Sequence, residues 1–434
     1  MAKKSSSIPL NIYLNGLFVG TLAYPAQKNL SFHYSDFWLS RSSSFPISRS
    51  LPLREQPYVG NEIYAYFDNL LPDNVSIRQR IAARMKAESD HVFDLLTVVG
   101  RDCVGALQFI RADEPPPHLE KVHGTPLTQS AIAERIRRLH NTPLATSTED
   151  NFRLSIAGAQ EKTAFLKVDN KWYIPQDATP TTHILKPPMG EIQKGLNFAD
   201  SIENEWLCSK IVRAFGIPVA NCEIVHFDDV KVLSVKRFDR TWLNSDILIR
   251  IPQEDLCQAF GVASFEKYQT DGGPGIVQIM DILNESLQHE DDRKNFLKSQ
   301  VVFLLLAAID GHAKNFSLRW GPAGFIMTPL YDILSAQPFI DSEQFQEEKI
   351  KMAMSFGDKN YYRVRDISRR HFLQTAKSCR ISSEQMELIL DEVLAEVPSI
   401  ISRVTSELPS DFPQHIADSI FAGMQKRTRQ IRGD

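Results

Sequence analysis

Apolar and polar positions change rhythm along this chain, and each change marks a different kind of element. Residues 8 to 34 alternate, with Ile12 and Leu14 answered by Leu17 and Val19 across Asn15-Gly16. A period of two belongs to half-buried strands, and Asn-Gly between two such runs predicts a hairpin. Helical spacing follows near Asn74 to Lys86 and Asp90 to Val99, and Ala106 to Ile110 reads as a strand. Asp113-Glu114-Pro115-Pro116-Pro117 then interrupts both patterns, because proline lacks the backbone N–H and fixes φ. Together with a short helix at Gln129 to His140 and the polar stretch Asn141 to Asn151, it predicts a connector over residues 111 to 150.

Beyond the connector the texture becomes β-rich, at Thr163 to Val168, Lys171 to Ile174, Thr182 to Lys186, Cys222 to Phe227 and Val230 to Val235. One amphipathic helix interrupts it, Asn197 to Phe215, stopped by Gly216 and Pro218. From Gln253 onward the pattern predicts an almost wholly helical region. The expected fold class is therefore α+β. An N-terminal α+β module (1–110) and the connector precede a β-rich small lobe (151–250) and a helical large lobe (251–434). The last two have the bilobal layout of protein kinases.

Composition narrows the function classes. The 434 residues are 43% hydrophobic and 24% charged, ordinary for a globular protein, and the net charge of −4 disfavours unaided coating of nucleic acid. Five scattered cysteines without a CxxC pair argue against a disulfide framework or zinc site and for a reducing cytoplasm. MAKKSSSIPL has no apolar signal-peptide core, and no apolar run approaches the ~20 residues that cross a bilayer. A cytoplasmic protein without membrane contact is expected.

The chemistry concentrates in Ile309-Asp310-Gly311-His312-Ala313-Lys314-Asn315, followed by Tyr331-Asp332. D-x-x-x-x-N is the spacing of kinase catalytic loops, where the Asp takes the acceptor hydroxyl's proton and the Asn and a later Asp hold magnesium. On that reading Asp310 is the base and Asn315 and Asp332 bind Mg²⁺. His312, Lys314 and Tyr331 then lie near the phosphates of ATP. The apolar run Val301 to Ile309 would fix the base at the exit of a buried segment. A hairpin around Phe325, Ile326 and Met327 would deliver Asp332 at a strand end. Asp310-Gly311 by itself also suits a plain turn before a capping Asn.

Further candidates lie upstream. Lys186 closes a strand-like run before Pro187-Pro188 and could reach the α- and β-phosphates, or could be an edge-strand lysine. Glu203 and Glu205 are equally eligible as its helix partner. The small residues of Leu154 to Thr163 would let the backbone of Ala157, Gly158, Ala159, Gln160, Glu161 and Lys162 approach phosphates. This stretch is neither a Walker A motif nor G-x-G-x-x-G, and a tight β-turn is the competing reading. Lys236, Arg237 and Phe238 sit where an adenine-contacting hinge belongs. Asp271 to Gly275 reads as a surface loop that could border the substrate cleft. Lys377 with Arg380, and the basic run Lys426 to Arg432, are weak candidates for nucleic-acid contact, although most such charge is simply solvated.

Ser155 to Ala164 (SIAGAQEKTA), Thr179 to Lys186 (TPTTHILK), Gln253 to Gly261 (QEDLCQAFG) and Asp310 to Asn315 (DGHAKN) together resemble the HipA family. These are serine/threonine kinase toxins of type II toxin–antitoxin modules. The resemblance implies ATP and Mg²⁺ as cofactors and Ser155 as a phosphosite whose modification expels the phosphate loop. Near two negative charges there would repel ATP. It further implies a HipB-type helix-turn-helix antitoxin dimer, operator DNA bound through that complex with co-repression, and a translation component such as glutamyl-tRNA synthetase as substrate. Lys236 departs from the acidic residue expected at the first hinge position. A small-molecule kinase of the aminoglycoside-phosphotransferase type and a non-catalytic DNA-binding regulator are the alternatives.

Overall fold

Asn15 and Gly16 both take positive φ, 48° and 82°, and close the hairpin between strands Leu10–Leu14 and Leu17–Ala23. Two left-handed residues in succession give the turn whose twist matches paired strands, which is why Asn-Gly recurs there. The hairpin is the centre of a five-stranded antiparallel sheet, ordered Tyr58–Val59, Ser31–Tyr34, Leu17–Ala23, Leu10–Leu14, Leu107–Arg111. Its apolar face, with Leu10, Ile12, Leu22 and Phe32, buries against Ile63 and Phe67 of helix Asn61–Asp68 and Leu95 and Leu96 of helix Val92–Val99. The helix Val75–Met85 starts where Asn74 accepts hydrogen bonds from the Ser76 and Ile77 N–H groups.

The computed structural model describes residues 7–25, 29–141, 160–193 and 195–433. The chain divides into two compact units. The first holds Met1–Pro187, Val225–Phe265 and Ser317–Gly324, and the second Pro188–Ile224, Glu266–Phe316 and Phe325–Asp434. Beside the N-terminal sheet, the first unit contains a six-stranded sheet. Its order is Cys222–Phe227, Val230–Lys236, His183–Lys186, Thr163–Val168, Lys171–Pro175, Gly124–Leu127. The connector thus supplies an edge strand, Gly124–Leu127, and its helix Gln129–Asn141 buries Ile132, Ala133 and Ile136 with Phe165, Trp172, Leu185 and Val232. Sequence patterning missed that strand because Gly and Pro dominate its four residues.

A buried ion cluster ties three parts of this unit together. Arg237 bonds Asp239 in a fork (2.9 and 2.7 Å), Arg240 reaches Asp102 at 2.9 Å, and Arg250 reaches Asp102 at 3.0 Å. Burial works to raise the Asp102 pKa, but Arg240, Arg250 and Arg237 outweigh it and hold the carboxyl well below the usual range. Thr181 adds a hydrogen bond to Asp102 at 2.7 Å. Such a cluster tolerates burial because every charge faces an opposite one.

In the second unit, helices Ser201–Ala214, Ile276–Leu283, His289–Leu306, Arg369–Ser378, Ser383–Ser406 and Gln414–Arg432 form the bulk. Two expectations need correction. The chain after Gln253 is not almost wholly helical: short strands occur at Gln253–Asp255, Ser317–Gly321, Gly324–Met327, Lys351–Phe356 and Tyr361–Arg363. Runs of three to six residues carry too little periodicity to register among long helices. The basic run Lys426 to Arg432 is a packed helix rather than a solvated tail. Arg427 is 2% exposed, and burial lowers its pKa to about 10 against the pull of Glu347 and Asp341. Among the described residues no helix is long and apolar enough to cross a membrane.

Candidate active site

The helix His289–Leu306 aims at the site, and its last turn explains how. Val301 to Leu306 are all buried, so the run anticipated from sequence is a core helix end. The last carbonyls of a helix have no intrahelical partner and must find one. Here Arg427 donates to the Leu305 carbonyl at 2.8 Å, the Ser335 hydroxyl to Leu306 at 2.5 Å, and the Ala336 N–H to Ala307 at 2.9 Å. A guanidinium at this end also complements the helix dipole. Ala307 then turns the chain with φ 49°, and Ile309-Asp310 emerges from the core.

Asp310 opens a tight loop. Its carbonyl accepts from the His312 N–H (2.8 Å) and from the Asn315 side-chain amide (2.7 Å), and the Asn315 N–H returns to the His312 carbonyl (2.9 Å). The Asn315 amide nitrogen is thereby fixed, which leaves its oxygen as the remaining acceptor. His312, Lys314 and Asn315 are buried, whereas the Asp310 side chain is 56% exposed and able to meet an acceptor. Gly311 is required by close approach: a Cβ there would lie 2.7 Å from the Phe303 ring.

Asp332 arrives from a second segment held on both sides. Leu330 exchanges hydrogen bonds with Pro218 and Ala220 (2.9 and 2.8 Å), and Ser335 pairs with the Asn204 amide through two bonds of 2.8 Å. Between these clamps Asp332 takes φ 61°, a left-handed backbone that costs a non-glycine residue energy and persists where the surroundings enforce it. It is not at a strand end, as expected from sequence, because Gly324–Met327 stops short of it and the clamped segment intervenes. The Tyr331 hydroxyl joins the two segments by donating to the Lys314 carbonyl at 3.0 Å.

Asp310, Gly311, Asn315, Tyr331 and Asp332 line one pocket together with Phe303, Ala308 and Ile333. Asn315 and Asp332 offer hard oxygen donors, as Mg²⁺ requires, and Mg²⁺ commonly takes one or two protein carboxylates with the rest from water and phosphate. Among the described residues no group of three or more His, Cys, Asp or Glu is placed to hold a metal ion. Tyr268 was not anticipated: its hydroxyl donates to the Asp310 carboxylate, a contact from a loop that no spacing rule links to residue 310.

The remaining sequence candidates divide between the units. Ser155, Ala157, Gly158 and Ala159 lie outside the described residues. Gln160 donates to the Pro187 carbonyl at 2.9 Å, and Glu161 is ion-paired with Arg80, so both side chains are committed within the first unit. Lys162 begins the approach to strand Thr163–Val168. Lys186 is buried on an inner strand between Val230–Lys236 and Thr163–Val168, not on an edge. Glu203 and Glu205 are buried on helix Ser201–Ala214 of the second unit. The Arg237 side chain belongs to the ion cluster, and its N–H bonds the Thr182 carbonyl at 2.8 Å. Lys236 ends its strand exposed, and Phe238 follows in the turn. Lys377 and Arg380 are exposed at the end of helix Arg369–Ser378.

Two domain families match this chain, the HipA N-terminal domain over residues 10–110 and the HipA-like C-terminal domain over residues 154–401. It is 31% identical over 429 residues to a Sinorhizobium fredii protein named putative kinase Y4mE, covering 97% of this chain and 98% of that one. It is 26% identical over 368 residues to the serine/threonine-protein kinase toxin HipA of Shewanella oneidensis, covering 82% and 80%. The solved complex of Shewanella oneidensis MR-1 HipA, HipB and operator DNA contains a chain that superposes with a TM-score of 0.80 at 23% identity, covering 98% and 97%. The fold is therefore shared over nearly the whole length.

Proposed function

Because the chain belongs to the HipA family, we propose that it is an ATP- and Mg²⁺-dependent protein kinase acting on serine, and the toxin of a toxin–antitoxin pair. The observation that carries this is the single pocket gathering Asp310, Asn315 and Asp332. Asp310 takes the proton of the acceptor hydroxyl. Asn315 and Asp332 hold the ion, and Lys186 neutralises the α- and β-phosphates. The backbone of 157–162 receives the terminal phosphates, His312, Lys314 and Tyr331 border them, and Lys236 and Phe238 flank the adenine. ATP supplies the phosphoryl group, and Mg²⁺ offsets the charge that builds on it.

By the same kinship, Ser155 is the inactivating phosphosite and a HipB-type dimer neutralises the kinase. Together they bind operator DNA as a repressor, with Lys377 and Arg380 as local contacts. Glutamyl-tRNA synthetase, or another translation component, is the substrate to try first. Asp310→Asn keeps the shape and removes the base, so labelled phosphate transfer from ATP should fall by about 10²- to 10⁴-fold, and growth inhibition with it. Transfer at the parent rate in that variant would refute the assignment.

A further inference from the structure

The Tyr268 hydroxyl donates to Oδ1 of Asp310, which is the hydrogen bond an acceptor hydroxyl must make before its proton can be taken. We infer that Tyr268 is a specificity-determining residue: its phenol stands in for the acceptor hydroxyl on Asp310, and an acceptor must displace it. This rests on Asp310 being the base.

Three features make the contact a built one. The Tyr268 ring stands edge-on to the buried His312 ring, with centroids 5.0 Å apart and planes at 82°. The Tyr268 carbonyl accepts from the N–H groups of Asp271 (3.0 Å) and Gly273 (2.9 Å), which folds its loop into a compact turn. The neighbouring Gln269 side chain accepts from the Ser355 N–H at 2.7 Å and moors that turn to strand Lys351–Phe356. Tyr268 is half-buried and Asp310 is exposed, so the phenol can swing away without opening the core.

A displaceable phenol discriminates among acceptors. Water, small and mobile, gains little by competing for one carboxylate oxygen. A serine or threonine hydroxyl delivered on a bound peptide brings the binding energy of its flanking residues and can replace the tyrosine. The expected result is low turnover of ATP without a protein acceptor, and turnover when one docks.

The test uses the full chain with Mg²⁺ and ATP and no acceptor, reading phosphate released to water. Tyr268→Phe removes the hydrogen bond and Tyr268→Ala the whole ring. Hydrolysis should rise roughly ten- to hundredfold, the scale of one hydrogen bond to a carboxylate, with unchanged thermal unfolding. Added p-cresol should return Tyr268→Ala toward the parent rate and leave the parent unaffected. Hydrolysis that falls or stays constant in both variants overturns the inference, as does phosphate recovered on Tyr268 itself. Hydrolysis that survives in Asp310→Asn would instead strike the base assignment.

Discussion

At the residue scale, two positions are set by contacts that a substitution would expose. A methyl group at position 311 meets the Phe303 ring at 2.7 Å, so Gly311→Ala should cost about 1–3 kcal/mol and displace Asp310. Denaturant unfolding measures the first effect and turnover the second. Phe303→Leu in the same chain should restore part of both, and failure to do so would remove the ring from the explanation. Glu254 is buried, and that burial lifts its pKa to about 7 although Ser48, the Arg49 N–H and Trp320 donate to it. Unfolded, the group titrates near 4.5. Between these values the unfolded chain has released a proton that the folded chain retains, so stability falls as pH rises through that window and levels off above it. Glu254→Gln should flatten this slope in melts taken from pH 4.5 to 7.

At the element scale, the site depends on how element ends are finished. The helix His289–Leu306 has its last carbonyls answered by Arg427, Ser335 and Ala336, so the exit toward Asp310 is fixed by residues distant in sequence. In the first unit, strand ends meet at Asp102, where Arg240 and Arg250 converge and Arg237 stands alongside. Asp102→Ala would leave three buried guanidinium groups facing one carboxylate, Asp239. A loss of about 3–5 kcal/mol is expected in denaturant unfolding. Because the folded pKa of Asp102 lies below its unfolded 3.8, its contribution is fully present above that pH and is lost on acidification below it. A change under 1 kcal/mol at pH 7 would show that the cluster is replaceable.

At the scale of the whole molecule, a net charge of −4 sets how nucleic acid can be engaged. Binding without a partner has little electrostatic support, and contact must come from local cations. The basic C-terminal run contributes less than its sequence suggests, since Arg427 is buried in a helix and Lys426 pairs with Glu347. Lys377 and Arg380 remain exposed. If the chain binds operator DNA with an antitoxin as proposed, replacing both by alanine should weaken that binding and reduce the salt slope of log K by about 2, with kinase turnover intact. An unchanged slope would place the DNA contacts elsewhere.

Sequence alone determined the elements whose cause is local. Asn15-Gly16 dictates its own hairpin, Asn74 its own helix start, and the spacing of Asp310 to Asn315 its own loop, because backbone preference and short-range hydrogen bonds act within a few residues. Tertiary structure decided whatever depends on distant groups meeting. The positive φ of Asp332 between its two clamps is one instance, and the withdrawal of Arg237 into a buried cluster is another. The placement of Tyr268 on Asp310 is a third. Each balances burial against pairing between residues tens or hundreds of positions apart, and a linear pattern carries no record of that balance.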